Sequence, residues 1–97
     1  MLDIEWSGPA LGDLRRINSW LEENAAPEYA VRLLAAIRYR AEWLRDFPRG
    51  GRPFRGDMRV LRVYQTPYLI RYRVVEALQK VYVLRVHHER EDWSIEP

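Results

Sequence analysis

Ninety-seven residues with 47% apolar side chains, four Trp and six Tyr set the scale: one domain, residues 1–97, burying about two thirds of its unfolded surface around one modest core. There is no cysteine, no apolar N-terminal run behind basic residues and no apolar stretch near the about twenty residues a membrane helix needs. These features argue against a disulfide scaffold, secretion and membrane insertion, and make a cytoplasmic setting the expectation. Net charge is +2, yet fifteen of the sixteen basic residues are arginine, Lys80 being the exception. A guanidinium fork suits carboxylates and phosphates, so the bias points to an acidic or nucleic-acid partner. A GC-rich genome would produce the same bias without functional meaning, and both readings stand.

Leu2 to Trp6 alternates as a short strand. Ser7 followed by Pro9 reads as a helix start, a hydroxyl N-cap with proline where a missing N–H costs nothing. Ala10, Leu14, Ile17 and Leu21 then draw one stripe along a first helix running to about Glu23. Asn24-Ala25-Ala26 is a brief connection, and Pro27 opens a second helix with the stripe Ala30, Leu33, Leu34, Ile37, Ala41 and Leu44. So short a loop predicts an antiparallel hairpin. The second helix should stop near Asp46, because Pro48 disfavours helical dihedrals at Phe47 and Gly50-Gly51 follow. Arg49 to Asp57 reads as a polar loop. Beyond it the period changes to two, giving strands over Arg59–Tyr64, Tyr68–Val75 and Gln79–His88 with turns at Thr66-Pro67 and Glu76-Ala77-Leu78.

The order β-α-α-β-β-β is an α+β layer in which a helical hairpin covers one face of a sheet and leaves the other open. Strand alternation assigns the faces. Ile70, Tyr72 and Val74 oppose Leu69, Arg71, Arg73 and Val75; Leu61 and Val63 oppose Val60, Arg62 and Tyr64; Tyr82, Leu84, Val86 and His88 oppose Val81, Val83, Arg85 and His87. If the more apolar set packs on the helices each time, Arg62, Arg71, Arg73 and Arg85 point to the open side with His87 beside them. Solvent-facing sheet positions need polar residues in any case. Four mutually repelling arginines nevertheless favour an anion-recognising surface.

Metal-independent RNA cleavage needs a base near neutral pKa, cations for the phosphate and an acid for the leaving oxygen. Arg85, His87, His88, Glu89 and Arg90 supply all of these within six residues. Adjacent strand residues point to opposite faces, however, so both imidazoles meet one phosphate only if the strand ends between them. A locally hydrogen-bonded strand-end histidine is the plainer account of each. No helical His-x-x-x-His spacing suggests zinc, and no glycine-rich strand-to-helix loop suggests a nucleotide.

Gly51-Arg52-Pro53, Arg59-x-Leu61, Thr66-Pro67-Tyr68-x-Ile70-x-Tyr72-Arg73-Val74 and the run from Val83 to Trp93 resemble, in order and spacing, the ParE branch of the RelE/ParE toxin superfamily. That resemblance spans the chain. It implies a helical hairpin on one face of a small, mainly antiparallel sheet, and a toxin of a type II toxin–antitoxin pair that binds DNA gyrase stoichiometrically, with no cofactor and no metal. It also implies a ParD-like antitoxin whose acidic, disordered C-terminal half folds as it wraps the toxin.

Arg59, Arg73, His88, Arg90 and Trp93 are the family-matching positions expected at the target. Trp20, Tyr29, Tyr39 and Trp43 on the hairpin, and Arg62, Arg71 and Arg85 on the sheet, are expected to receive the antitoxin; the aromatics also fit as flanks of a wide core stripe. Glu89 and Glu91 stand where the family tail often carries small residues and a second arginine, which lowers the local positive charge. The alternative in the superfamily is a ribosome-dependent mRNA interferase of the RelE kind, with Arg85, His87, His88 and Arg90 as its catalytic set. That branch usually carries an arginine where this chain has Leu69, and it is rich in lysine. His87 matches the histidine of YoeB-like nucleases, while His88 matches the ParE pattern one residue on.

Overall fold

Helix initiation follows the predicted chemistry. In the computed structural model, which describes residues 1–91, β1 (Asp3–Trp6) leads into α1 (Gly8–Asn24). The Ser7 hydroxyl accepts the Ala10 N–H at 3.1 Å and donates to the Leu84 carbonyl at 2.8 Å, capping the helix and tying its start to the last strand. Helix α2 (Pro27–Trp43) returns antiparallel, with Pro27 in its first turn. It ends three residues before the expected Asp46. Leu44 and Arg45 donate to Ala41 and Glu42, so the chain leaves through a tightened i→i+3 turn instead of a further α turn.

The remaining strands are β2 (Arg52–Pro53), β3 (Met58–Arg62), β4 (Tyr68–Val75) and β5 (Lys80–His88), with a short 3₁₀ turn at Glu76–Leu78 between the last two. They form a five-stranded sheet in the order β1-β5-β4-β3-β2, with β1 parallel to β5 and the other neighbours antiparallel. The α+β architecture is as predicted. Strand β2 is an addition inside the segment expected to be loop; Pro53 lacks an N–H and is tolerated because this is the edge of the sheet.

The core lies between the hairpin and one sheet face. Leu14, Ile17, Leu21, Leu33, Ile37 and Leu44 meet Leu61, Ile70, Tyr72, Val81, Val83 and Val86. Here the assignment of the last strand needs correction. Val81 and Val83 were expected on the open face and Tyr82 and Leu84 on the helix side; instead Val81 and Val83 are core and Tyr82 and Leu84 are half-buried. The cause is a β-bulge. Arg71 pairs with Arg85 and Tyr72 with Val83, so Leu84 has no ladder partner and the alternation changes phase there.

The second face also differs from expectation. Cross-strand partners share a face, and the register groups Val60 with Arg71 and Arg85, and Arg62 with Leu69 and His87. The predicted arginine set is therefore on one side, but that side is not bare. Val60, Leu69, Arg71 and His87 are all buried, Arg71 at 5% exposure and His87 at 1%; Arg62 alone of the five predicted side chains is exposed rather than half-buried or buried.

Candidate functional site

Strand β1 ends at Trp6, opposite Val83, so among the described residues the outer edge of β5 continues without a neighbouring strand. A carboxylate replaces it. Asp13 of α1, 1% exposed, accepts the Val86 N–H at 2.8 Å, Arg85 Nε at 2.8 Å and Arg85 NH2 at 3.0 Å, and Arg16 at 2.7 Å. Burial works to raise the Asp13 carboxyl, but the bonds from Arg85, the Val86 amide and Arg16 outweigh it and hold it below the usual carboxylate range. Asp13 was not singled out from sequence. A legible signal existed: it sits three residues after Ala10 and one before Leu14, an acid on an otherwise apolar stripe.

The histidine pair is divided. His88 opposes Tyr68, on the helix side, where its ring lies edge-on to the Tyr68 ring at 5.4 Å and its Nδ1 accepts the Arg90 N–H at 3.1 Å. His87 opposes Leu69 on the other face, with Nδ1 3.8 Å from a Glu91 oxygen. Burial, then the nearby Arg71 and Arg85 charges, push the His87 imidazole below its ordinary value of 6.5. The folded chain thus favours neutral His87, whereas the unfolded chain takes up a proton near 6.5. This contribution to stability is full above pH 6.5 and declines on acidification toward the lowered folded value. Stability should therefore fall between pH 7.5 and 5.5. Urea midpoints of wild type and His87→Gln across that interval will check it; an equal slope in both would refute the assignment.

The remaining predicted residues fall into separate places. Arg59 shares the Tyr72 face and donates to the Gly51 carbonyl at 2.7 Å and the Arg49 carbonyl at 3.3 Å, so it shapes a loop. Beneath it the buried Tyr72 hydroxyl donates to Pro48 O and accepts the Gly51 N–H, both at 2.8 Å. Gly51 is obligatory there, since a Cβ would stand 2.7 Å from that hydroxyl and 2.8 Å from the Val60 carbonyl oxygen. Arg73 is half-buried and pairs with Asp57 at 3.1 Å, Arg62 pairs with Glu89 at 3.3 Å, and Arg90 is exposed. Trp93 lies outside the described residues.

Of the hairpin aromatics, Trp20 (58% exposed) and Tyr29 are brought together, whereas Tyr39 is far out in solvent and Trp43 is half-buried against Phe47. Trp20 and Tyr29 flank a hollow of about 680 Å³ floored by Ile17, Leu21, Leu33 and Tyr68, with His88, Glu91 and Arg16 at its rim. It is mainly apolar and open to solvent along the hairpin. Among the described residues no three His, Asp or Glu side chains gather into a metal-binding group, and no helix is long and apolar enough to cross a membrane.

The comparisons with known proteins agree with this architecture. A family model described as the ParE toxin of the type II toxin–antitoxin system parDE matches residues 4–93. A Sinorhizobium fredii protein named "Putative toxin Y4kP" is 33% identical over 91 residues, 93% of this chain and 91% of its own length. The chromosomal ParDE system from P. aeruginosa superposes with a TM-score of 0.80 at 23% identity, over 91% of this chain and 96% of that one. The RelBE2 toxin–antitoxin complex from Mycobacterium tuberculosis gives 0.64 at 25% identity, over 90% and 96%. The intact E. coli RelBE complex gives 0.63 at 16%, over 94% and 100%. Fold is shared across all three structures, and the sequence match over nearly the whole length goes further: this chain belongs to the ParE toxin family of type II toxin–antitoxin systems.

Proposed function

We propose that this toxin works in the cytoplasm by stoichiometric binding, that its target is DNA gyrase, and that a ParD-like antitoxin neutralises it. The observation that carries the binding reading is the dispersal of the would-be nuclease set. His87 is buried on the same face as Arg85, which binds Asp13, whereas His88 sits at a groove rim on the other face and Arg90 is exposed. General acid–base work on one phosphate requires such groups within hydrogen-bond reach of it. Leu69, where an interferase would carry its phosphate-handling arginine, is buried.

The test is a purified supercoiling assay with stoichiometric toxin, beside translating ribosomes carrying a defined message. Inhibited or cleavage-trapped gyrase with intact message is expected. Intact gyrase activity with cut message would transfer the chain to the mRNA interferase reading. Arg73, half-buried in a surface pair with Asp57, is assigned to the target surface. Arg73→Ala should lower toxicity on induction while the thermal midpoint moves by no more than about 1 kcal/mol equivalent, as for other surface pairs.

The antitoxin assignment rests on the hairpin hollow. An amphipathic helix or apolar segment laid between Trp20 and Tyr29 would cover Leu21, Leu33 and Tyr68, and an acidic continuation would reach Arg16 at the rim. Trp20→Ala removes a central exposed aromatic, for which a loss of about 30-fold in affinity is expected. Calorimetric titration with the co-encoded antitoxin will measure it; unchanged affinity would move the antitoxin elsewhere.

A further inference from the structure

At the C-terminal end of α2 a run of flat groups stacks outward from the margin of the core, and neither the hairpin hollow nor the histidine strand uses it. The Arg40 guanidinium lies 4.5 Å from the Trp43 ring centroid and 4.3 Å from that of Tyr64, while its Nε donates to the Arg62 carbonyl at 2.9 Å. Phe47 stacks on Trp43 with centroids 4.9 Å apart and planes 23° apart. Gly50 permits this arrangement, because a Cβ there would stand 2.2 Å from the Trp43 ring. The rings at the two ends remain in solvent: Tyr64 is 66% exposed and Phe47 54%. A shallow hollow of about 460 Å³ beside Phe47 is lined by Trp43, Pro48, Arg49 and Gly50.

The adjoining segment is strongly basic. Residues 49–62 hold five arginines against one aspartate, Asp57. Asp57 is taken by Arg73, while Glu76 pairs with Arg49 and Glu89 with Arg62. Among the described residues no carboxylate stands within ion-pair distance of Arg40, Arg52, Arg55 or Arg59. Arg40 between open rings, next to an arginine-rich segment, matches one ligand chemistry especially well: phosphates for the guanidinium groups and unstacked bases for the rings. An acidic peptide would satisfy the arginines but bring nothing planar to Phe47 and Tyr64. A duplex would keep its bases stacked on each other.

We infer that Phe47, Trp43, Arg40 and Tyr64, continued by the basic segment that carries Arg52 and Arg55, form a binding site for single-stranded DNA. The choice of DNA over RNA rests on the gyrase reading; the stacking and charge do not. Such a site gives the toxin a hold on the opened nucleic acid of a protein–DNA complex in addition to its hold on the protein.

The experiment is fluorescence anisotropy of the full chain with a labelled single-stranded dT 20-mer, compared with a duplex and an RNA of matching sequence, without gyrase. Saturable binding is expected that weakens at least tenfold between 50 and 200 mM salt. Phe47→Ala and Tyr64→Ala should each weaken it about tenfold with unchanged circular dichroism, the stacking loss per base, and Arg52→Glu/Arg55→Glu should weaken it further. No saturable binding, equal affinity for the duplex, preference for the RNA, or equal displacement by polyglutamate would each overturn the site, as would full affinity in both aromatic variants. A chain that inhibits gyrase yet ignores the oligonucleotide defeats this inference alone. One that binds the oligonucleotide yet leaves gyrase untouched defeats the gyrase reading alone.

Discussion

Asp13→Ala is expected to lower stability by about 3–5 kcal/mol, the cost of removing one partner from a buried ion pair. A domain of this size has only about 5–15 kcal/mol in total, so the variant should be close to unfolded at growth temperature. The size follows from what the carboxylate does at once. It accepts both Arg85 nitrogens, takes the Val86 N–H that β1 is too short to reach, and draws Arg16 across. Alanine takes an acceptor away from a partly buried guanidinium and from a buried amide. Asp13→Asn should cost nearly as much, because an amide NH₂ would face donors on one side.

A double variant separates the charge from the amide. Asp13→Ala/Arg85→Met also removes the cation that bound Asp13 and should recover a good part of the loss, leaving the cost of the Val86 N–H. Acid has the same target. The Asp13 contribution is present above the unfolded carboxyl value of 3.8 and disappears as pH falls through the lowered folded value. It therefore acts in a window well below that of His87. Urea midpoints at neutral pH decide the matter: a loss under about 1 kcal/mol in Asp13→Ala would mean the joint is not buried as described.

Tyr72→Ala comes second, with an expected loss of about 3–5 kcal/mol for an aromatic removed from a closed core. Tyr72→Phe isolates the hydroxyl. Its ring stays in place among Leu44, Leu61 and Val83, but the Pro48 carbonyl and the Gly51 amide lose their partner, for about 1–3 kcal/mol. The effect should be concentrated in one segment. Residues 48–51 are held by that hydroxyl from below and by Arg59 from the side, so limited trypsin digestion after Arg49 should accelerate in Tyr72→Phe well before global unfolding. Cleavage at the wild-type rate would show that Arg59 alone suffices.

Local chemistry made much of the fold readable. Ser7 and Pro9, Pro27, and the four-three-four stripes are signals carried by neighbours in the chain, and both helices begin where those signals place them. The period-two stretches likewise locate β3 and β4, and their faces are as alternation assigns them. What escaped was set by distant partners. Two residues of β2 exist only because Val60 and Arg59 lie opposite. The burial of Arg71 and His87 depends on the whole sheet and cannot be read from a polar side chain's position along a strand. The groove pair Trp20 and Tyr29 was recoverable as aromatics off the stripe, whereas Tyr64 joins Arg40 only across the fold.

The bulge at Leu84 has a further meaning for how this strand tolerates change. Because that residue has no ladder partner, its loss would bring Val83 next to Arg85 with both still opposite Tyr72 and Arg71. Anywhere else in β5, gaining or losing one amino acid would turn the core inside out. Chain length is therefore adjustable at a single joint, with the Ser7 hydroxyl's bond to the Leu84 carbonyl as what must re-form there.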